Sequence, residues 1–304
     1  MTVHIQNVEL PGARARALLD EVEAHDGVAA FSEQFLQALD DARVDHTHLI
    51  AFDSAEAESN GVAAAEIVGI AGLATDGSVE LAVGPRWRRQ AIATQLIAAA
   101  REEYGARVQP GFWAHGDLPA AQSLARKEGL EKTRELLVMA VDGAELAAAA
   151  KVELPEGYEL LDLTQASERF GRETVERDWL AVNNDAFSWH PEQGGWDVDR
   201  LRRGMDTEWF DERGVWLLYK GDTLAGFHWT KRHPGDTGEV YVVGLSSAFR
   251  GEGLGGPLVS AGLAHLMDTG STQVILYVEA DNVPAVKRYE RLGFEVSERH
   301  VVYQ

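Results

Sequence analysis

Residues 249–258, FRGEGLGGPL, place four glycines among the six positions 251–256, between a β-branched run and a helix-like stretch. Glycine lets main-chain N–H groups come close to a ligand. A helix starting within residues 253–256 aims its unpaired donors and the positive end of its dipole into that space. A phosphate is the group such a cradle holds. Two other readings stand beside it. A tight turn needs glycine for positive φ, although one or two glycines usually suffice. A dinucleotide site is the second, because GEGLGG matches G-x-G-x-x-G and Glu279 follows the strand-like TQVILYVEA. Against it, the spacer SSAFR separates the glycines from the apolar run YVVGL, and too little chain follows Glu279 to finish a doubly wound sheet.

The elements that position this loop occur twice. WRRQAIATQL at residues 87–96 has the same outline with alanine in place of glycine. GSVELAVGPRWRRQAIATQLIAAAREEYG and GEVYVVGLSSAFRGEGLGGPLVSAGLAHLMDTG each run from an apolar strand through a turn into a helix. GDLPAAQSLARKEGL at 116–130 answers ADNVPAVKRYERLGF at 280–294. The offset is 162 residues at the loops and 164 at the closing glycines, a drift that one short loop accounts for. Between the copies, DGAELAAAAKVELPEGYEL mixes Gly, Pro and charged residues and sets a boundary near Ala150, giving domains over 1–150 and 151–304. Hairpin patterns such as GVWLLYKGDTLAGFHWTK, with KGD as the turn, alternate with the helices. The expected fold class is α/β, one mixed domain used twice.

Composition narrows the partners. A chain of 304 residues suits two domains of this size, and a formal charge of −21 opposes nucleic acid or an anionic membrane surface as partner. With no cysteine there is no disulfide, no thiolate metal site and no cysteine acyl-enzyme. His190 beside Pro191 reads as a turn histidine, and no metal-ligand spacing is present. The first residues lack a signal pattern and no stretch approaches the roughly 18 apolar residues of a membrane span, so a soluble, cytoplasmic protein is expected; a monomer is the separate expectation for its assembly.

Arg250 followed by Gly253 and Gly255, after EVYVVGL and ahead of a helix, resembles the Q/R-x-x-G-x-G/A motif of the GCN5-related N-acetyltransferases. DNVPAVKRYERLGF is similar to that family's second signature, with Asn at a helix start, Tyr two turns in and Gly-Phe at the end. The tandem arrangement, with FSEQFL, RELLVM, HPEQGGW, GFHWTK, GEVYVVG and LYVEADN, resembles the mycothiol synthase branch over nearly the whole chain.

The resemblance implies two tandem acetyltransferase domains, each a mixed, mostly antiparallel sheet flanked by helices. It implies acetyl-CoA as co-substrate, no metal, and direct transfer to the cysteinyl amine of a cysteinyl-glucosaminyl-inositol. Arg250, Gly251, Glu252, Gly253, Leu254, Gly255 and Gly256 are then the pyrophosphate loop. Val243, Gly244 and Leu245 end a strand that splays from its neighbour to pair with the pantetheine arm. Asn282, Val283, Pro284, Ala285, Val286 and Lys287 open the helix beside it. A weaker coenzyme site in the first copy would use Leu81, Ala82, Val83, Arg88, Arg89 and Thr94. Where the family often has basic residues inside the loop, Gly251 and Glu252 stand here, and Lys287 is the candidate compensating cation.

The same resemblance makes Glu239 the base for the incoming amine, whereas spacing alone reads it as a solvated strand-end carboxylate. Tyr289 lies two helical turns after Asn282, on the same face, and becomes the acid for the departing thiolate. Without the family it reads as core, flanked by Ala285 and Leu292. In the first copy Leu118 and Ala125 take the places of Asn282 and Tyr289, and Ala91 and Ala93 those of Gly253 and Gly255. Catalysis is therefore expected in the second copy. Glu33, Glu192, Lys231 and Tyr277 are implied to contact the acceptor. By residue type alone, Glu33 is a helix-start carboxylate, Glu192 a loop carboxylate and Lys231 a solvated lysine. An acetyltransferase for another amine and a non-catalytic acetyl-CoA sensor are the alternatives, and Glu239 retained with Tyr289 in one copy opposes the sensor.

Overall fold

The computed structural model describes residues 3–54, 65–188 and 193–304. Its strands are β1 (Val3–Asn7), β2 (His46–Asp53), β3 (Ile67–Ala74), β4 (Ser78–Val83), β5 (Gly111–Ala114), β6 (Lys132–Asp142), β7 (Tyr158–Asp162), β8 (Val215–Lys220), β9 (Thr223–Arg232), β10 (Thr237–Leu245), β11 (Gln273–Glu279) and β12 (Glu295–Tyr303). Contacts divide the chain into two units, Met1–Leu136 with Glu298–Gln304, and Leu137–Ser297.

In the first unit β1, β2, β3 and β4 pair antiparallel in sequence order, β4 pairs parallel with β5, and the end of β12 pairs antiparallel with β5. β3, IVGIAGLA, is buried at every position, as expected of a strand covered on both faces. The helix Ile92–Tyr104 turns Ile92, Leu96, Ile97 and Ala100 inward at helical spacing. A polar inclusion crosses this unit: Glu80, 2 % exposed, is hydrogen-bonded by the Ser32 amide at 2.7 Å and by His115 at 2.9 Å, and His115 shares a 2.9 Å contact with His300.

In the second unit β7, β8, β9 and β10 form an antiparallel run, β10 pairs parallel with β11, and β6 lies beyond β11. The helix Arg172–Ala186 packs Val175, Trp179 and Val182 with Phe227, Trp229 and Val242. The helix Gly255–Asp268 places Val259, Leu263 and Leu266 against Val240, Val274 and Leu276. The KGD hairpin turn lies between β8 and β9, with Gly221 at φ +60°.

The contact division and the boundary near Ala150 fall differently. The chain from Leu137 through the helix Gly143–Ala149 belongs to the second unit, and Glu298–Gln304 to the first. Among the described residues no helix is long and apolar enough to cross a membrane.

Buried histidines tie stability to pH, His228 and His300 most strongly. His228, fully buried with Nδ1 3.0 Å from the Leu258 carbonyl, has its pKa pushed down to about 4 by burial. Burial and the neighbouring His115 do the same to His300, also to about 4. The unfolded chain protonates these groups near 6.5, so their stabilisation is complete above that pH and is lost as pH falls towards 4. For His228 alone the full effect is roughly 3 kcal/mol. The melting temperature is expected to drop by several degrees between pH 7.5 and pH 5, with a shallower drop in His228→Leu. Parallel slopes for the two proteins would contradict this assignment.

Candidate functional site

β10 and β11 are paired from Thr237↔Gln273 to Val240↔Leu276, and the register ends there. β10 continues through residues 241–245 and β11 through 277–279. On its other side β10 stays paired with β9 to Leu245↔Gly226, across a bulge between Val240 and Val242. A bulge bends a strand and increases its local twist, which turns the far half of β10 away from β11. The result is a split in the sheet edged by Val243, Gly244 and Leu245 on one strand and by Tyr277, 48 % exposed, on the other.

The glycine loop follows at the end of β10. Gly251 and Gly253 have φ of +88° and +79°, conformations that L side chains rarely adopt, and a methyl at either position, or at Gly256, would meet no atom within 4 Å. The helix begins at Gly255 with Leu254, almost fully buried, as its cap. The loop thus leaves open space beside Gly251, Gly253 and Gly256, with the Arg288 guanidinium over Gly255, a helix start that fits an anionic diphosphate. Glu252 faces elsewhere: its carboxylate accepts from the Tyr158 hydroxyl at 2.6 Å and from Lys220 at 3.4 Å, contacts that lower its pKa. Arg250 is anchored through Nη2 to the Ala186 carbonyl at 3.3 Å, and Asp185 accepts from the Ser247 amide at 2.6 Å.

Asn282 caps the helix Val283–Arg291, accepting from the Ala285 amide at 3.4 Å, with Pro284 in the first turn and Ala285 and Val286 turned toward the apolar core. Lys287 is exposed. Its neighbour Arg288, which sequence reading passed over, lays its guanidinium over Gly255, where an added methyl would collide with it. Consecutive helical residues point about 100° apart, so which of two adjacent cations meets the loop depends on how the helix packs.

Glu239 stands opposite Lys231 in the β9–β10 register and is 6 % exposed. Its Oε2 lies 2.7 Å from Nε2 of His233, a partner that sequence reading did not identify. Lys231, 7 % exposed, is not a solvated lysine: its ammonium lies 5.0 Å from the ring centre of Trp209 and 5.8 Å from that of Tyr241. Tyr289 is 9 % exposed and edge-on to Phe294, in the cluster that includes Val240 and Leu276, the last registered pair before the split. Burial pushes its pKa up to about 12, so the hydroxyl stays protonated throughout the neutral range. By strand alternation Glu239 points to the face opposite Val240, which places it and Tyr289 on the two faces of the sheet at the base of the split.

The first unit repeats the outline. β4 and β5 are registered from Ser78↔Gly111 to Glu80↔Trp113, and β4 then continues through Leu81, Ala82 and Val83. Arg89 and Ala91 hold φ of +61° and +62°, so the loop keeps its left-handed turns without glycine. The Arg88 charge is already matched, both terminal nitrogens meeting Asp26 at 2.7 Å. Thr94 donates to Glu128 at 2.8 Å. Leu118 begins the equivalent helix without a side-chain cap, and Ala125 is buried where the second unit has Tyr289. Glu33 is exposed at the first position of the helix Glu33–Ala38. Glu192, like His190 and Pro191, lies outside the described residues.

Comparison with known proteins gives this geometry a lineage. Residues 179–294 match the acetyltransferase (GNAT) family. The fold is shared with a GCN5-related N-acetyltransferase from Sphaerobacter thermophilus, at TM-score 0.70 and 20 % identity over 98 % of this chain and 94 % of that one. A tandem GNAT protein from the clavulanic acid biosynthesis pathway has TM-score 0.70 and 17 % identity over 99 % of this chain and 98 % of that one. A mycothiol acetyltransferase from Corynebacterium aurimucosum is 48 % identical across 98 % of this chain and 96 % of its own length. One from Corynebacterium efficiens is 48 % identical across 100 % and 96 %. Identity of that order along both repeats, in a chain with the tandem acetyltransferase fold, makes this protein a member of the mycothiol acetyltransferase family.

Proposed function

We propose that the second unit transfers the acetyl group of acetyl-CoA to the cysteinyl amine of a cysteinyl-glucosaminyl-inositol, forming mycothiol. The observation that carries this reading is the split beyond Val240↔Leu276, with an open glycine cradle after one strand and the buried carboxylate of Glu239 at its base. The first unit is the degenerate copy.

Acetyl-CoA supplies the activated thioester. The amides at the start of the helix Gly255–Asp268, together with Arg250 and Arg288, hold the diphosphate. Residues 243–245 offer main-chain groups to the amide-bearing arm, and Asn282 fixes the neighbouring helix. Glu239 takes a proton from the acceptor's ammonium group, so that the amine attacks as a neutral nucleophile. Tyr289, protonated across the working range, delivers a proton to the departing sulfur. Glu192, Lys231 and Tyr277 contact the acceptor by charge and hydrogen bonds.

The functional test is release of CoA from acetyl-CoA in the presence of a panel of amines. Rapid release with the cysteinyl pseudodisaccharide alone is the expected result; equal or faster release with an aminoglycoside or a peptide N-terminus would overturn the acceptor. Binding of acetyl-CoA without release would favour a sensor. Within this mechanism Tyr289→Phe is expected to lower kcat about 10- to 100-fold while KM for acetyl-CoA stays within about twofold. An unchanged kcat would remove Tyr289 from proton delivery.

A further inference from the structure

We infer that His233 is a positioning residue for Glu239: by donating Nε2–H to Oε2 it aims Oε1 as the oxygen that receives the acceptor's proton. The inference rests on the acetyl-transfer reading above. A carboxylate 6 % exposed needs a partner for its charge, and the His233 nitrogen at 2.7 Å is the hydrogen-bond donor to it among the described residues. Among the same residues Oε1 accepts no hydrogen bond, so it is the lone pair left for a substrate.

The turn that carries His233 is held in place. Its amide donates to the Thr237 carbonyl at 3.0 Å, and the Asp236 carbonyl accepts from the Thr272 amide at 2.8 Å, which ties the turn to the start of β11. The other charged groups near the pair are engaged or turned away. Lys231, across the register from Glu239, lies against Trp209 and Tyr241. The Arg232 guanidinium approaches Gly270, where an added methyl would be 3.9 Å from it. Asp236 accepts from the Thr272 hydroxyl at 2.5 Å. The His233 side chain is 29 % exposed, so its ring bridges the buried carboxylate to solvent.

The test is steady-state kinetics of the full chain across pH 5.5–9.5, with His233→Leu, His233→Gln and Glu239→Gln measured in parallel. His233→Leu fills the space without a donor. It is expected to lower kcat about tenfold, because Oε1 is then no longer held toward the acceptor. KM for acetyl-CoA should stay within about twofold, which separates this role from loss of the coenzyme site. His233→Gln, whose side-chain amide can donate to the same oxygen, should return kcat to within about threefold of wild type. A His233→Leu enzyme with wild-type kcat would overturn the inference. So would His233→Gln as impaired as His233→Leu, since ring packing would then be the cause. Glu239→Gln separates the two readings: if it turns over normally, the assignment of Glu239 as base fails, whereas an inactive Glu239→Gln beside a normal His233→Leu defeats only the positioning role.

Discussion

Glu239→Gln is expected to lower kcat at neutral pH by about 100-fold or more, with acetyl-CoA affinity unchanged to within about twofold. The substitution preserves the shape of a nearly buried side chain and leaves the β9–β10 register intact, so the fold has little reason to respond. What it removes is a proton acceptor. An α-amine has a pKa of about 7.7–8.0, so at neutral pH most of the acceptor arrives charged and cannot attack a carbonyl. Above about pH 9 the acceptor is already neutral in solution, and the gap between Glu239→Gln and wild type should narrow. A deficit equally deep at every pH would mean that Glu239 binds the acceptor and does not deprotonate it. The rate profile on the basic side should not show Tyr289 ionising below about pH 10, because its pKa lies near 12.

The second large effect is expected at Gly253. A Cβ there meets no atom within 4 Å, so the main cause is the backbone at φ +79°. A β-branched residue in the left-handed region is strained, and the loop relieves that strain by rotating its amides out of the cradle. Acetyl-CoA affinity, measured by titration calorimetry, is expected to fall at least about 100-fold, or roughly 3 kcal/mol. The residue is exposed, so the melting temperature should change little. Gly253→Ala is the graded control. Ala91 holds φ +62° at the corresponding place in the first unit, so alanine is compatible with the turn and should cost only about 1–2 kcal/mol. Undiminished affinity in Gly253→Val would refute the loop assignment.

The contrast between those two loops shows where sequence reading succeeds and where it stops. Turn chemistry is local: Gly251, Gly253 and Gly221 have the positive φ that their glycines announce, and Asn282 caps the helix that its position marks. The repeat was legible for the same reason, since strand, loop and helix follow one another along the chain. Yet alanine at position 91 does not announce a left-handed turn, and the backbone keeps one there, because the surrounding strand and helix hold it.

Long-range choices were not legible. The apolar pattern of β6 suits either sheet, and nothing in its periodicity says that the part beyond Leu137 belongs to the second unit or that the end of β12 belongs to the first. A composition-based boundary near Ala150 therefore falls later than the contact division. Side-chain partners were hidden in the same way. His233 reaches Glu239 through a hairpin whose length and anchoring at Asp236 set the distance. Arg288 meets the loop in preference to Lys287 because of the angle at which its helix packs. Lys231 read as solvated because the aromatic residues that surround it, Trp209 and Tyr241, come from different elements.

Acetyl transfer in the second unit depends on a diphosphate held by main-chain amides after Arg250, with a thioester lying in the split between β10 and β11. A crystal structure of the chain grown with acetyl-CoA is the most direct measurement of it. The expected density has the diphosphate within hydrogen-bond reach of the amides in residues 251–256, the pantetheine arm along residues 243–245, and the acetyl carbonyl between Glu239 and the Tyr289 hydroxyl. Density for the coenzyme elsewhere in the second unit, or an acetyl group remote from both side chains, would contradict it.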